Sequence, residues 1–226
     1  MPIDERVADA LAWLQQHARA DILANYAPRY GIIANNALGV SMIDIKTLAK
    51  QLGRDHALAL ALWKTGCYEA RLLASLVGEA GKLTPTQMDR WCRDFDNWAV
   101  CDTLCFNLFD RSPHAWEKVQ AWRDAPQEFV KRAAFALIAS IALHDKKAAD
   151  APFIASFEWI EGAADDPRNF VKKAVSWALR GIGRRNASLN SKAQQLARRL
   201  IAAEAASARW IGRDALKDLV RAAEKI

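Results

Sequence analysis

The sequence predicts an all-α protein, and three observations support that prediction. Alanine, the strongest helix former, supplies 44 of the 226 residues. The β-branched residues valine, isoleucine and threonine, which suit strands, together supply only 28. Proline and glycine recur at the spacing of short helices. The composition, 52% hydrophobic and 26% charged, is that of a globular protein, so it excludes disorder for most of the chain.

Five helices are predicted in the first third of the chain. Their apolar periodicities stop at glycines, the residues that most often terminate helices. These glycines are Gly53, Gly66, Gly78 and Gly81. The predicted helices cover residues 3–17, 20–29, 42–52, 56–65 and 68–80.

Three helices are predicted in the middle of the chain, over residues 85–95, 97–109 and 114–124. Thr84-Pro85 and Ser112-Pro113 each have the pattern of an N-cap residue followed by proline at the first helical position. Both pairs therefore indicate helix starts.

Four helical segments are predicted in the rest of the chain, over residues 127–145, 151–163, 168–184 and 190–223. Pro126 and Pro152 can open helices in the same way. We expect the last segment to be broken into two pieces near Ser207 to Gly212. A chain of 226 residues suits one large domain or two small ones, and we expect a single domain over residues 1–226.

The helices show an internal repeat. Residues 126–137 align with residues 167–178 at an offset of 41, which pairs Arg132 with Lys173. Segments containing Arg71 and Asp102 fit the same register less clearly. Offsets of about 30 to 41 are similar to those of short HEAT-type helical pairs, which stack into a curved superhelix. We therefore predict a curved α-solenoid of HEAT-like helical repeats with a basic concave face, with an irregular helical bundle as the alternative.

The positive charge is concentrated in the last quarter of the chain. The whole chain has a net charge of +6, but residues 168–226 contain 14 Lys and Arg against 4 Asp and Glu. Residues 1–167 contain 18 against 22. Such an asymmetric block suits a phosphate-binding surface, although a solvated basic tail gives the same count.

Several classes of protein and site are not indicated. Charged residues at positions 4–6 occupy the place where a secretory signal turns apolar, and the longest apolar stretch, residues 133–143, is too short for a bilayer. We therefore expect a cytoplasmic monomer that does not associate with membranes. The cysteines form no CxxC pair, so we expect buried free thiols, no metal site and no cofactor. These cysteines are Cys67, Cys92, Cys101 and Cys105.

Residues 95–109 contain the first candidate site. An apolar stripe runs along this predicted helix, and Trp98 and Asp102 lie one turn apart at its edge. An aromatic face beside a carboxylate is then available at one surface. The alternative is that Trp98 belongs to the core and Asp102 caps a helix or pairs with a neighbouring arginine.

Residues 170–185 contain the second candidate. Lys173, Trp177, Arg180 and Arg184 share one helix face, so a tryptophan lies inside a basic stripe. Such a stripe can bind phosphates and stack on a sugar or base, although surface cations beside a half-buried tryptophan are common. On the helix from residue 127, Arg132 shares its face with alanines at 136 and 139, which we expect to let a DNA backbone approach closely.

Six motifs, spread in order between about Tyr30 and Arg185, carry a family resemblance. They cover residues 39–46, 55–66, 68–74, 97–102, 129–133 and 170–180. Together they resemble the DNA alkylation repair glycosylases of the AlkD type, which are built from HEAT-like repeats. Ala99 stands where members of that family often have an acid, and the residues before Tyr30 show no clear match to the family.

The resemblance implies an activity and a role for each matching residue. It makes Asp102 the catalytic carboxylate and makes Trp98 and Trp177 the aromatics that contact the deoxyribose. It makes Arg132 a contact to the DNA backbone and Arg180 a phosphate contact, and the basic stripe adds Lys173 and Arg184. The partner implied is duplex DNA containing alkylated purines.

The implied chemistry suits a site with one carboxylate. A purine alkylated at N3 or N7 is already cationic, so it leaves without the general acid that ordinary glycoside hydrolysis needs. The resemblance also implies that the damaged base stays in the stack instead of flipping, and no base pocket is evident from the sequence. A non-catalytic binder of branched or damaged DNA and a protein-interaction scaffold remain as alternatives.

Overall fold

The computed structural model describes all 226 residues and is entirely helical, which confirms the predicted class. It contains thirteen α-helices and two short 3₁₀ turns, at Ala80–Lys82 and Phe109–Arg111. The first seven helices are Ile3–Gln16 (α1), Ala20–Tyr30 (α2), Met42–Leu52 (α3), His56–Lys64 (α4), Tyr68–Val77 (α5), Pro85–Arg93 (α6) and Trp98–Asn107 (α7). The other six are Ala115–Trp122 (α8), Glu128–His144 (α9), Ala151–Gly162 (α10), Asn169–Gly183 (α11), Ala187–Ile201 (α12) and Ala206–Ala223 (α13).

Two predicted boundaries are wrong. The C-terminal segment is indeed two helices, but the break lies between Ile201 and Ala206, before the predicted place. Gly212 lies inside α13, where a Cβ would meet the Ala197 carbonyl oxygen of α12 at 2.5 Å. This glycine permits close helix packing and does not interrupt a helix. Ser112-Pro113 do not begin a helix, since α8 begins only at Ala115 and His114 holds its N-cap position.

The backbone divides into two compact units. Unit 1 comprises residues 1–87 and 95–113, and unit 2 comprises residues 88–94 and 114–226. The expectation of a single domain stays a prediction. No helix combines the length and apolarity that a bilayer span requires.

In unit 1, α5 packs against α3, α4 and α7 and forms the centre of the core. Nearly every side chain of α5 is buried. On α7 the predicted apolar stripe is fully buried, and all four cysteines are buried thiols, as predicted. The stripe consists of Val100, Cys101, Leu104, Cys105 and Leu108. This burial fixes which face of α7 remains accessible.

In unit 2, α11 packs along α9 and also contacts α12 and α13. The aligned repeats meet there, because the rings of Phe129 and Phe170 lie 5.4 Å apart, centroid to centroid. The helix α9 is buried from Arg132 to Ala142. The packing of α9 against α11 therefore forms a large part of the core of unit 2.

Candidate active site and nucleic-acid interface

Trp98 and Asp102 occupy the accessible face of α7. The side chain of Asn97 caps this helix by accepting a hydrogen bond from the Val100 backbone amide at 3.0 Å, so Trp98 is the first helical residue. Both Trp98 and Asp102 are partly exposed, one turn apart, at the edge of the buried stripe. Neither side chain is enclosed in the core.

The indole of Trp98 is held in place by a distant segment of unit 1. Its Nε1–H donates to the backbone carbonyl oxygen of Tyr30, the last residue of α2, at 2.9 Å. Because that N–H is already satisfied, the ring offers a bound molecule its faces and not a hydrogen bond. Except for Tyr30, the helix α2 lies in the stretch that contains none of the motifs of the family resemblance.

An apolar pocket of about 430 Å³ lies beside Trp98, entirely within unit 1. The sequence alone did not reveal this pocket. Its walls come from α2, the loop before α3, and the helices α5 and α7. The lining includes three tyrosines and the small side chain of Ala99; the tyrosines are Tyr26, Tyr30 and Tyr68. We call it the aromatic pocket.

The loop that forms part of this pocket is anchored by a buried glutamate. The carboxylate of Glu69 on α5 is fully buried and accepts backbone N–H bonds from Leu38 at 2.9 Å and Gly39 at 2.8 Å. It also accepts weaker bonds from the Val40 amide and the Tyr26 hydroxyl, at 3.3 Å and 3.2 Å. Glu69 thus ties the loop, α2 and α5 together behind the pocket.

Two pocket tyrosines stay protonated at any physiological pH. Burial, and then the negative charge of Glu69, raises the pKa of both Tyr26 and Tyr68 far above the ordinary value. Burial likewise raises the pKa of the neighbouring Cys67 thiol. The walls of the pocket are therefore neutral.

The basic stripe of α11 lies at the surface of unit 2. Lys173 and Arg184 are exposed and Trp177 and Arg180 are partly exposed, while the opposite face of the helix is buried. The Nε atom of Arg180 lies 3.6 Å from a carboxylate oxygen of Asp214 on α13. Arg184 forms a bidentate pair with Asp218, with its Nε–H donating over 2.8 Å.

Arg132 differs from the stripe because it is only 5% exposed. Its Nη1 donates to the Phe170 backbone carbonyl oxygen at 2.6 Å, and the guanidinium lies over the Phe170 ring, 6.0 Å from the centroid. Arg132 thus joins α9 to the start of α11 in the free protein. Its predicted contact with the DNA backbone stays a prediction. That contact requires the DNA to reach a guanidinium that is buried in the free protein.

The expectation that two alanines near Arg132 admit DNA is wrong. Ala136 and Ala139 are both buried, and a Cβ on Gly181 of α11 would meet the Ala139 Cα at 3.2 Å. These alanines are small because α11 packs tightly against α9. The backbone that comes close to Ala139 is that of α11, and not that of DNA.

The structure gathers the predicted site residues into two groups. Trp98 and Asp102 share the accessible face of α7 in unit 1, and the stripe residues Lys173, Trp177, Arg180 and Arg184 share a face of α11 in unit 2. Arg132 belongs to neither surface group. No cluster of His, Cys, Asp and Glu side chains is arranged to hold a metal ion.

Comparisons with known proteins identify the family. A family model described as "DNA alkylation repair enzyme" matches residues 9–219. The chain belongs to this family. The family resemblance carried by the six motifs is thereby confirmed. No curated protein matches the sequence.

Comparison with solved structures bears on the fold. One, described as "a new family of proteins related to the HEAT-like repeat DNA glycosylases with affinity for branched DNA structures", aligns with a TM-score of 0.75. It is 17% identical and covers 84% of this chain and 81% of that chain, so the fold is of the predicted HEAT-like class. A designed armadillo repeat protein aligns at 14% identity over 78% of this chain and 92% of that chain; its TM-score of 0.36 carries no argument.

Proposed function

We propose that the protein is a DNA glycosylase that hydrolyses the N-glycosidic bond of cationic N3- or N7-alkylated purines in duplex DNA. The observation that carries this proposal is the pairing, on the accessible face of α7, of the Asp102 carboxylate with the Trp98 ring. A binding protein gains nothing from a carboxylate that faces phosphates. Membership of a DNA alkylation repair family supports the same substrate class.

The reaction needs little from the protein. The bond between C1′ and the purine nitrogen breaks, its electron pair neutralises the cationic base, and an oxocarbenium-like sugar forms. Asp102 stabilises this positive charge and orients the water that attacks C1′. As the new C–O bond forms, the water releases a proton to solvent. The face of the Trp98 ring favours the same cationic state. The role of Trp177 as an aromatic contact, which the family resemblance implies, stays a prediction.

The stripe on α11 is proposed to bind the phosphate backbone. Unit 2 contains 22 Lys and Arg against 15 Asp and Glu, a net +7, whereas unit 1 contains 10 against 11, a net −1. Phosphate contacts position a protein on the duplex without reading its sequence. Lys173, Arg180 and Arg184 suit this role because all three are accessible.

The test is release of damaged base from methylated duplex DNA, with 3-methyladenine and 7-methylguanine measured separately. We expect release by the parent protein and, in Asp102→Asn, a loss of roughly 2 kcal/mol or more of transition-state stabilisation, the scale of one electrostatic stabiliser. Asp9→Asn is the matched control, since it removes one exposed carboxylate of unit 1 and should release base like the parent. Tight DNA binding by the parent without any release contradicts the glycosylase.

The second candidate is a non-catalytic protein that binds branched DNA. Its support is the likeness of fold to a protein with affinity for such structures. If this candidate is right, the parent binds a four-way junction more tightly than a linear duplex of equal length and releases no base. Equal affinity for the two DNAs together with base release rejects it.

A further inference from the structure

The basic stripe on α11 meets carboxylates of α13 in the free protein. Arg184 forms a bidentate pair with Asp218, and its Nε–H donates to one carboxylate oxygen over 2.8 Å. One turn earlier on both helices, the Nε atom of Arg180 lies 3.6 Å from an oxygen of Asp214. Two of the three cations that we propose to bind phosphate are therefore already occupied by a negatively charged group.

Apolar packing, and not these ion pairs, holds α11 against α13. A Cβ on Gly183 of α11 would meet the Leu219 side chain of α13 at 2.2 Å, so the two helices lie very close there. Ile211 and Ala215 of α13 are fully buried as well. The four side chains of the ion pairs are instead between 22% and 58% exposed, and exposed pairs contribute little to stability. Their arrangement therefore needs an explanation other than the fold.

Each of the two carboxylates has a second partner within reach on its own helix. Lys217 and Arg221 lie three residues after Asp214 and Asp218, a spacing at which side chains on a helix are neighbours. Both cations are exposed and form no ion pair in the free protein. A carboxylate that leaves an arginine of α11 can therefore turn to a cation of α13. This second partner lowers the cost of breaking each ion pair between the helices.

The end of this row of ion pairs has room for a phosphate group. The charged side chains that line a cleft of about 500 Å³ are Arg184, Asp218, Arg221 and Lys225. Three of the four are cations, so the cleft attracts a further anion. A phosphate accepts the same two parallel N–H bonds from a guanidinium as a carboxylate does. The Asp218 carboxylate thus marks a position that a phosphate can take.

From these observations we propose that Asp214 and Asp218 take the places of two DNA phosphates in the free protein and compete with DNA for Arg180 and Arg184. This inference rests on the proposed phosphate binding by the stripe and adds two residues that set its affinity. Both are positioning residues, because they act through the arginines. DNA displaces the two carboxylates, which turn to the cations of α13. The competition lowers the affinity for undamaged duplex, which a repair enzyme has to leave quickly.

The test measures the affinity for an undamaged, fluorescein-labelled linear duplex by fluorescence anisotropy. Asp218→Asn removes the competing charge and keeps nearly the same shape. We expect this variant to bind the duplex several-fold more tightly than the parent, because Arg184 no longer has to be freed. Glu224→Gln is the matched control, since it removes an exposed carboxylate without an ion pair at the end of the same helix. It should show only the smaller gain that any lost negative charge produces.

A double-mutant cycle shows whether the gain in affinity passes through Arg184. In the Arg184→Gln background, Asp218→Asn should gain no more than Glu224→Gln does, because the contested cation is absent. The same cycle with Asp214→Asn and Arg180→Gln gives an independent measurement. Urea unfolding identifies any variant that fails to fold, and the other cycle then decides.

The outcomes separate competition from a general effect of charge. Equal gains in Asp218→Asn and Glu224→Gln overturn the inference, because they reflect only the net charge of α13. Unchanged or weaker binding by Asp218→Asn also overturns it, because the carboxylate then orients Arg184 or has only a structural role.

Base release from methylated duplex DNA, measured on the same proteins, separates this inference from the glycosylase proposal. Release by the parent without a gain in affinity in Asp218→Asn rejects the competition and leaves the glycosylase intact. A gain that depends on Arg184, without any release by the parent, supports the competition and rejects the glycosylase.

Discussion

Unit 1 fixes its candidate site with buried polar groups, whereas unit 2 holds its cationic stripe with ion pairs at the surface. In unit 1 the loop at residues 38–40 is bound to the fully buried Glu69. In unit 2 Arg180 and Arg184 face Asp214 and Asp218, and all four side chains remain solvent-accessible. The difference fits the roles that we propose for the two units.

A cleavage site needs fixed geometry, because small displacements of a catalytic group lose much of its effect. Buried hydrogen bonds provide that rigidity, since leaving such a group unpaired is costly. A phosphate-binding surface needs cations that can exchange partners, and exposed ion pairs contribute little to stability. We therefore expect stability to depend on the buried groups and DNA affinity on the exposed ones.

The largest effect is expected for Glu69→Ala. The substitution leaves the amides of Leu38 and Gly39 without their acceptor, and each unsatisfied buried group costs roughly 1–3 kcal/mol, so the free energy of unfolding should fall by about 3 kcal/mol or more. Urea unfolding measures this loss. Glu69→Gln keeps one acceptor oxygen and should lose less, and Glu5→Ala, at an exposed site, should change little. A loss below about 1 kcal/mol contradicts the buried anchor.

A smaller effect is expected at Asp166, a largely buried carboxylate of unit 2. Asp166 is 8% exposed and bonds to Arg168 and Lys131, so it links the starts of α9 and α11. The Arg168 guanidinium, with help from Lys131, holds the pKa of Asp166 far below its ordinary value of 3.8. A carboxyl group whose pKa is lower in the folded chain than in the unfolded chain stabilises the fold at pH values above the unfolded-state pKa. That stabilisation is lost as the pH falls towards the folded-state pKa.

Asp166→Asn should therefore lower the free energy of unfolding by about 2 kcal/mol at pH 7, the scale of hydrogen bonds to a charged group. The difference from the parent should shrink as the pH falls below about 4, where the carboxyl of the unfolded chain becomes protonated. Unfolding measured at pH 7 and pH 3 tests this. Asp165→Asn, at the exposed neighbour, is the control, and an equal loss in both variants contradicts the prediction.

The helices could be predicted because their signals are local. The twelve segments coincide closely with the observed helices, since apolar periodicity, prolines and terminal glycines act within a few residues. Two predictions failed at residues that pack against residues far away in the sequence. The predicted break at Gly212 is wrong because nothing nearby in the sequence shows that α12 packs against this glycine. The expected approach of DNA to Ala139 is wrong because the residue that packs against it, Gly181, is 42 residues away.

The site could be predicted only in part for the same reason. The face shared by Trp98 and Asp102 follows from helix geometry, and so does the stripe on α11. The aromatic pocket does not, because its walls come from α2, a loop, α5 and α7. Glu69 is a weak signal, as a carboxylate in a mostly apolar helix, but its partners at residues 38–40 are visible only in three dimensions.

The smallest effect on stability, yet a measurable effect on binding, is expected for Arg180→Ala. The pair with Asp214 is long and accessible, so its loss should change the free energy of unfolding by less than about 1 kcal/mol. If Arg180 contacts one phosphate, the slope of log affinity against log salt should fall by about 0.9, whatever the DNA sequence. Titrations at several salt concentrations measure that slope. Arg198→Ala, at an exposed arginine of α12 outside the stripe, should leave it unchanged. An unchanged slope in Arg180→Ala places this arginine off the DNA and confines phosphate binding to other cations of unit 2.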